Sequence, residues 1–219
     1  MTEVLRLAVF LSGSGSTLQN LIDRIDKGEL SARIEVVVSS MPGVYGLERA
    51  EAAGIPTEVV PSKDYCRDWD AFSRAIDEKL CGYDIDLVVL AGFMCMYRIP
   101  PEREGRVMNV HPSLIPAFCG KAMFGHLVHE AVLEHGVKVT GCTVHFANNE
   151  YDAGPIILQK VVPVLDDDTP ETLAERVQAA EREAYPEAIN LFAQGRLKIE
   201  GRRVRILNPK PSTDQHERK

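Results

Sequence analysis

The sequence predicts an α/β fold, with a mostly parallel sheet and helices on both of its faces. Short apolar runs of strand length alternate along the chain with segments whose apolar residues recur at helical spacing. Several of the runs are continuous rather than alternating, which is typical of strands buried on both faces of a parallel sheet. Because no repeat or linker interrupts this order, we expect a single domain over residues 1–209 and a disordered tail over residues 210–219.

Composition narrows the class of protein. The chain has 219 residues, is 45% hydrophobic and carries a formal charge of −7, which fits a globular domain and argues against a nucleic-acid-binding surface. Its start has no basic segment or cleavage site, and no apolar run reaches membrane-spanning length. The five cysteines are odd in number and contain no C-x-x-C pair. We therefore expect a cytoplasmic protein with reduced thiols that binds neither membranes nor nucleic acid.

The first strand is expected over residues 5–11 (LRLAVFL), and it runs through a glycine- and serine-rich loop, residues 12–17, into a helix. This arrangement directs free backbone N–H groups and the positive end of a helix dipole toward an anion. A dinucleotide-binding fingerprint would place glycine at position 18, where this chain has Leu18, and the next strand ends in serine rather than an acidic residue. A single phosphate group is therefore favoured over NAD, and an ordinary strand-to-helix turn is the alternative.

The middle of the chain repeats the alternation of strands and helices. Strands are expected over residues 34–40, 57–60 and 86–92, and helices over residues 47–53 and within residues 65–80. The segment from Phe93 to Tyr97 follows the last of these strands, at the edge of the sheet where ligands bind. Its soft, apolar side chains suit either a flat aromatic ligand or the core of the protein.

The strongest indication of chemistry lies in residues 106–116, where a short apolar strand ends in Asn109, His111 and a proline. Side chains two positions apart on a strand share a face, so Asn109 and His111 point the same way near the strand's carboxyl end. An imidazole there can move protons near neutral pH, and an amide can donate a hydrogen bond to an oxygen that gains negative charge. The alternative is a turn built from ordinary turn-forming residues.

The remaining elements complete the pattern. After a loop we expect a helix over residues 126–135, strands over 139–147 and 156–164, a helix over 170–194 and a hairpin over 196–207. His126 and His129 do not form H-E-x-x-H and have no evident third ligand, so we expect no metal and interpret both as helix surface or loop support. His145 could face either the core or the cleft.

Together these segments resemble the folate-dependent formyltransferases over most of the chain. The matching pieces are SGSGSTLQNLI, LVVLAGFM, RVMNVHPSLIPAF, VTGCTVHF, YDAGPIILQKVVPV and ERVQAAE. The resemblance implies a Rossmann-like formyltransferase fold with a folate cleft. It also implies that the protein transfers the formyl group of its co-substrate, 10-formyltetrahydrofolate, to the amine of glycinamide ribonucleotide in purine synthesis. A formyltransferase of the same fold that acts on another amine, such as an amino-sugar nucleotide, is the alternative.

The resemblance also implies roles for individual residues. Asn109 would stabilise the oxyanion, His111 would act as general acid and base, and Asp152 would hold the imidazole. The residues implied in binding the amine substrate are Gly15, Ser16 and Thr17 for its phosphate, and Gln178 and Glu181 for its ribose or glycinamide part. The residues implied in binding folate are Arg67, Met94, Cys95, Met96, Tyr97 and Asn109.

The sequence departs from the family pattern in three places, one of which is the segment between Tyr97 and Asn109, shorter here by about two residues. Family members commonly have Met-Arg-Ile-Leu where this chain has Met94-Cys95-Met96-Tyr97, and the loop after Phe118 is longer here. Methionyl-tRNA formyltransferases add a C-terminal domain and formyltetrahydrofolate hydrolases an N-terminal one, and this chain is expected to be too short for either. A non-catalytic nucleotide-phosphate sensor, an alternative from a different class, would need the glycine loop but would not need Asn109, His111 and Asp152 together. The expected partners are small-molecule substrates, and the expected state is a monomer or homodimer.

Overall fold

The computed structural model describes residues 4–209, and all nine strands in this range lie in one sheet. The strands are β1 (Leu5–Leu11), β2 (Ala32–Ser39), β3 (Thr57–Val59), β4 (Leu87–Leu90), β5 (Val107–His111), β6 (Val139–Phe146), β7 (Ile156–Pro163), β8 (Leu197–Glu200) and β9 (Arg203–Ile206). The helices are α1 (Ser16–Asp26), α2 (Tyr45–Ala52), α3 (Trp69–Leu80), α4 (His126–Glu134) and α5 (Pro170–Ala193). The tail predicted over residues 210–219 lies outside the described residues.

The strands follow the order β3-β2-β1-β4-β5-β6-β7-β9-β8 across the sheet. Strands β1 to β5 pair in parallel, and β6 runs antiparallel to both β5 and β7. The β8–β9 hairpin extends the sheet because β9 pairs in parallel with β7. The prediction of a mostly parallel sheet is confirmed, and each predicted element is present within a few residues of its expected bounds. The sequence did not reveal the reversed direction of β6.

The sheet is covered on both faces, as predicted. In β1, Leu7 and Val9 enter the core beneath α1, α4 and α5, whereas Ala8 and Phe10 enter the core beneath α3. This division follows from the alternation of side chains along a strand. Full burial of one aliphatic or aromatic side chain stabilises the folded state by about 1.5–3 kcal/mol. A strand that is buried on both faces therefore stabilises the packing of helices against each face of the sheet. Within residues 4–209, no helix is both long and apolar enough to span a membrane.

The chain reverses its direction of travel across the sheet at β1. From β1 it proceeds outward to β2 and β3, and it then returns to place β4 on the other side of β1. In open α/β sheets, such a reversal opens a crevice at the carboxyl ends of the strands on either side of it. The loop that follows β1 and the segment that follows β4 meet there, where the Ser12 N–H donates to the Gly92 carbonyl at 3.1 Å. The fold thus joins the predicted phosphate loop to the predicted folate segment.

Candidate active site

A pocket of about 400 Å³ opens at the carboxyl ends of the central strands. Its lining brings together Asn109 and His111 from β5, Asp152 from the loop between β6 and β7, and Ser16 and Thr17 from α1. The other predicted residues in the lining are Met94, Cys95, Met96, Tyr97, Gln178 and Glu181. The sequence-predicted residues therefore come from five separate parts of the chain and meet at one pocket.

The ring of His111 is buried and held at both nitrogens. Its Nε2 lies 2.9 Å from the carbonyl oxygen of Phe118, and its Nδ1 lies 3.6 Å from Oδ2 of Asp152. A carbonyl oxygen can only accept a hydrogen bond, so Nε2 carries the proton in that contact. In the neutral ring the lone pair is therefore on Nδ1, beside the carboxylate. His111 can take up a proton at Nδ1, and Asp152 would stabilise the resulting charge.

Asp152 occupies a turn that fixes its carboxylate between two imidazoles. Its backbone has a φ of 51°, in the left-handed region, which is uncommon for residues other than glycine. The Gly120 N–H donates to Oδ2 at 2.8 Å, and Oδ1 lies 3.8 Å from Nε2 of His145. The long loop after Phe118 thus supplies a hydrogen bond that orients the carboxylate toward His111.

His145 faces the cleft and orients the amide of Asn109, which resolves the question left open by the sequence. The two residues are cross-strand partners, and Asn109 Nδ2 lies 3.2 Å from His145 Nε2. Because His145 Nδ1–H donates to the Phe146 carbonyl at 2.9 Å, Nε2 has the lone pair and accepts from the amide NH₂. Burial lowers the pKa of His145, which favours this neutral ring. The second N–H of Asn109 remains available to the pocket.

A signal for His145 was present in the sequence. In β6 the apolar Cys142, Val144 and Phe146 enter the core beneath α5, and the intervening Thr143 and His145 must therefore point to the opposite face. The alternation of side chains along β6 shows which residues share a face, but it places His145 beside Asn109 only when the pairing register of β6 with β5 is known. A one-residue shift of that register would move His145 away from Asn109.

The loop that carries Asp152 is attached to the segment after β4 by Asn149. The Ile99 N–H donates to Asn149 Oδ1 at 2.8 Å, and Asn149 Nδ2 donates to the Ile99 carbonyl at 3.2 Å. Arg98 also donates to the Asn149 carbonyl at 3.2 Å. These contacts join the loop that bears Asp152 to the segment after β4, and no pattern in the sequence predicted them.

The amino end of α1 forms the far end of the pocket. Ser16 and Thr17 also line a small side pocket with Gln178 and Glu181 from α5. The first N–H groups of a helix have no partner within the helix, so they are available to an anion. Gly15 directly precedes α1 with a φ of 71°, and a Cβ there would lie 2.6 Å from the Gly46 backbone. Gly15 therefore permits the close approach of α2 and does not itself line the pocket.

The segment after β4 is anchored by buried hydroxyl groups. The Met94 N–H donates to Ser12 Oγ at 2.9 Å, and Ser12 Oγ lies 2.6 Å from Ser40 Oγ. Met94 itself is 64% exposed at the pocket mouth. Tyr97 is buried, and its hydroxyl donates to Asp77 at 2.6 Å, so this side chain forms part of the pocket wall and its hydroxyl is already engaged.

Two other predicted residues, Arg67 and Glu181, differ in their position relative to the pocket. Arg67 is exposed with a φ of 68° and lies outside the pocket lining, so its contact with folate stays a prediction. Glu181 lines both pockets, and burial raises its pKa to about 7, against a smaller opposing effect of Arg182. A carboxyl group with this pKa can exist in either protonation state near neutral pH.

His126 and His129 differ in their surroundings. His126 is exposed at the start of α4, in agreement with the surface position expected for it. His129 is 3% exposed and lines the pocket, so the helix-surface position is wrong for this residue, and the alternative, support of a loop, stays a prediction. In the part of the chain that the structure describes, no three His, Cys, Asp or Glu side chains are grouped to hold a metal ion.

Comparison with known families matches residues 5–189 to the formyl transferase family. The chain belongs to the formyl transferase family. Phosphoribosylglycinamide formyltransferase from Haemophilus influenzae is 35% identical over 196 residues, which cover 89% of this chain and 90% of that protein. The trifunctional purine biosynthetic protein adenosine-3 of Bos taurus is 47% identical over 196 residues, and these span 89% of this chain but only 19% of that longer protein.

The solved structures agree with this assignment. Glycinamide ribonucleotide transformylase 1 from Symbiobacterium toebii superposes with a TM-score of 0.86 at 48% identity, covering 94% of this chain and 95% of that chain. The predicted formyltransferase fold is therefore confirmed, in agreement with the family match over residues 5–189. In this chain, Asn109, His111 and Asp152 meet in the pocket described above.

Proposed function

We propose that this enzyme transfers the formyl group of 10-formyltetrahydrofolate to the amine of glycinamide ribonucleotide. The observation that carries the proposal is the convergence of Asn109, His111 and Asp152 in the same pocket as the amino end of α1. The first three residues supply the groups needed for acyl transfer to an amine, and the helix end supplies a phosphate site. The names of the relatives from Haemophilus influenzae and Symbiobacterium toebii support glycinamide ribonucleotide as the acceptor.

The proposed reaction begins when the acceptor amine attacks the formyl carbon. A carbon–nitrogen bond forms, and the carbonyl electrons move to oxygen to give a tetrahedral oxyanion, which the free N–H of Asn109 stabilises. The amine loses a proton to Nδ1 of His111. The oxyanion then collapses, the bond from carbon to the folate nitrogen breaks, and that nitrogen receives a proton from the imidazolium. Asp152 stabilises the charged ring between these two proton transfers.

The two substrates would enter from opposite ends of the pocket. The phosphate of the acceptor fits the amino end of α1, because Ser16 and Thr17 line the pocket and its side extension. Gln178 and Glu181 lie beside that extension and would contact the ribose or glycinamide part. The folate would lie along residues 94–97, whose side chains are mostly apolar. The reacting atoms then meet near Asn109 and His111.

The proposal can be tested by mixing the purified protein with 10-formyltetrahydrofolate and one candidate amine at a time. Deformylated folate is followed by absorbance. We expect rapid turnover with glycinamide ribonucleotide and little with amino-sugar nucleotides. Turnover only with an amino-sugar nucleotide would contradict the assigned acceptor, and loss of formyl at the same rate without any amine would indicate a hydrolase instead.

A further inference from the structure

His129 is a buried histidine with an unusual arrangement of its two nitrogens. Nδ1 is enclosed by protein and has no hydrogen-bond partner within residues 4–209. His135, the residue that follows α4, differs in this respect, because its Nδ1 donates to the Ala131 carbonyl at 2.8 Å. A histidine just after this helix can therefore satisfy Nδ1 with a helix carbonyl, whereas His129 does not.

The enclosed Nδ1 determines which edge of the ring faces the pocket. The residue lines the pocket although it is only 3% exposed, so the opposite edge, with Nε2, is the part of the ring available to a ligand. An enclosed N–H without an acceptor is rarer in proteins than an enclosed acceptor without a donor, so the proton belongs on Nε2. Burial, with smaller effects of His126 and His111, lowers the pKa of His129 to about 4. The ring is thus neutral at pH 7 and offers one N–H donor.

The position of α4 indicates which substrate this donor meets. Helix α4 packs against α5, and α5 supplies Gln178 and Glu181 to the pocket. Those two residues and the amino end of α1 line the side pocket assigned above to the acceptor substrate. In the folate segment, residues 94–97, Cys95 and Tyr97 pack instead against the other core, beneath α3. His129 therefore lies on the acceptor's side of the pocket.

We infer that His129 binds the acceptor substrate by donating a hydrogen bond from Nε2 to one of its uncharged oxygens, a carboxamide oxygen or a ribose hydroxyl. This inference rests on the proposed function, because that function defines which substrate occupies this side. A neutral donor suits an uncharged oxygen, whereas the phosphate is placed at the amino end of α1. A residue that served only the core would be better replaced by an apolar side chain, since an enclosed polar nitrogen without a partner is destabilising.

The test is the variant His129→Phe, which keeps a planar ring and removes both nitrogens. Binding of glycinamide ribonucleotide and of 10-formyltetrahydrofolate is measured separately by calorimetry. We expect the acceptor to bind roughly tenfold more weakly, as for loss of one hydrogen bond, and the folate affinity to stay within about twofold. His135→Phe is the matched control, because it alters a histidine of the same segment outside the pocket lining and should leave both affinities unchanged.

Unchanged acceptor affinity in His129→Phe, or an equal loss in the His135→Phe control, would overturn the inference. If the wild-type protein binds folate but not glycinamide ribonucleotide, the proposed acceptor is itself wrong, and that result is distinct. A measurement on the wild type covers the case in which the variant does not fold. In protein with ¹⁵N-labelled histidine, the acceptor should shift the Nε2–H resonance of His129, and an unmoved resonance at saturating acceptor would also overturn the inference.

Discussion

Replacing Asp152 with asparagine should slow formyl transfer severely while preserving the fold. Asparagine has nearly the same shape, and its side-chain oxygen can still accept the hydrogen bond that Gly120 donates to Oδ2 at 2.8 Å. The change therefore removes mainly the negative charge that lies 3.6 Å from Nδ1 of His111. In the proposed reaction, that charge stabilises the imidazolium formed when His111 takes the proton of the attacking amine.

The size of the effect follows from the distance and the surroundings. Two unit charges at this separation interact by about 1 kcal/mol in water and by about 5 kcal/mol at an effective dielectric constant of about 20. The Asp152 side chain is only 12% exposed, so the interaction lies between these limits. Since about 1.4 kcal/mol corresponds to a tenfold change in rate, kcat should fall by roughly tenfold to a few thousandfold.

The assay is steady-state formation of deformylated folate at saturating concentrations of both substrates. Asp166→Asn is the control, because Asp166 is 94% exposed and pairs with Lys138 away from the pocket. The control should match the wild type in kcat. An Asp152→Asn enzyme that is folded, by its thermal unfolding, yet retains kcat within about threefold of the wild type would refute the role assigned to this charge.

Two further predictions concern stability. Gly15→Ala should lower the free energy of unfolding by about 2 kcal/mol or more, because residue 15 has a left-handed backbone and the new Cβ would lie 2.6 Å from Gly46. Gly13→Ala is the control. Because a Cβ at residue 13 would have no atom within 4 Å, this variant should change the free energy of unfolding by less than about 0.5 kcal/mol. Equal urea midpoints for the two variants would contradict this. The pKa of Glu181 is raised from 4.5 to about 7, so the folded state keeps a proton that the unfolded state has lost between these values. The contribution of Glu181 to stability should therefore fall as pH rises from about 5 to 7, and Glu181→Gln should be more stable relative to the wild type at pH 8 than at pH 5; a pH-independent difference in urea unfolding would contradict it.

Much of the architecture could be predicted from local patterns. The apolar run of β1, Leu5–Leu11, has the predicted bounds, and the helices follow their apolar spacing closely. The hairpin of β8 and β9 lies within the predicted residues 196–207. These features depend on neighbouring residues in the chain, so composition and periodicity are sufficient to predict them. The pairing of β9 with β7 was not predicted, because strand partners are chosen by tertiary packing.

The candidate site shows the same division. Asn109 and His111 are two residues apart on one strand, so their shared face follows from strand geometry, and Asp152 was identified through resemblance to a family. In contrast, the sequence left the orientation of His145 open and did not place His129 in the pocket lining, since it interpreted this residue as helix surface or loop support. Each of these outcomes depends on which strand or helix packs against the residue.

The sequence by itself determined an α/β chain with a glycine loop, an amide and an imidazole at strand ends. The tertiary structure alone decided that Asp152 lies beside His111, that His145 orients Asn109, and that His129 lines the pocket. The physical reason is that backbone periodicity acts over a few residues, whereas these contacts join residues brought together by the pairing of β5 with β6 and the packing of α4 on the sheet and α5.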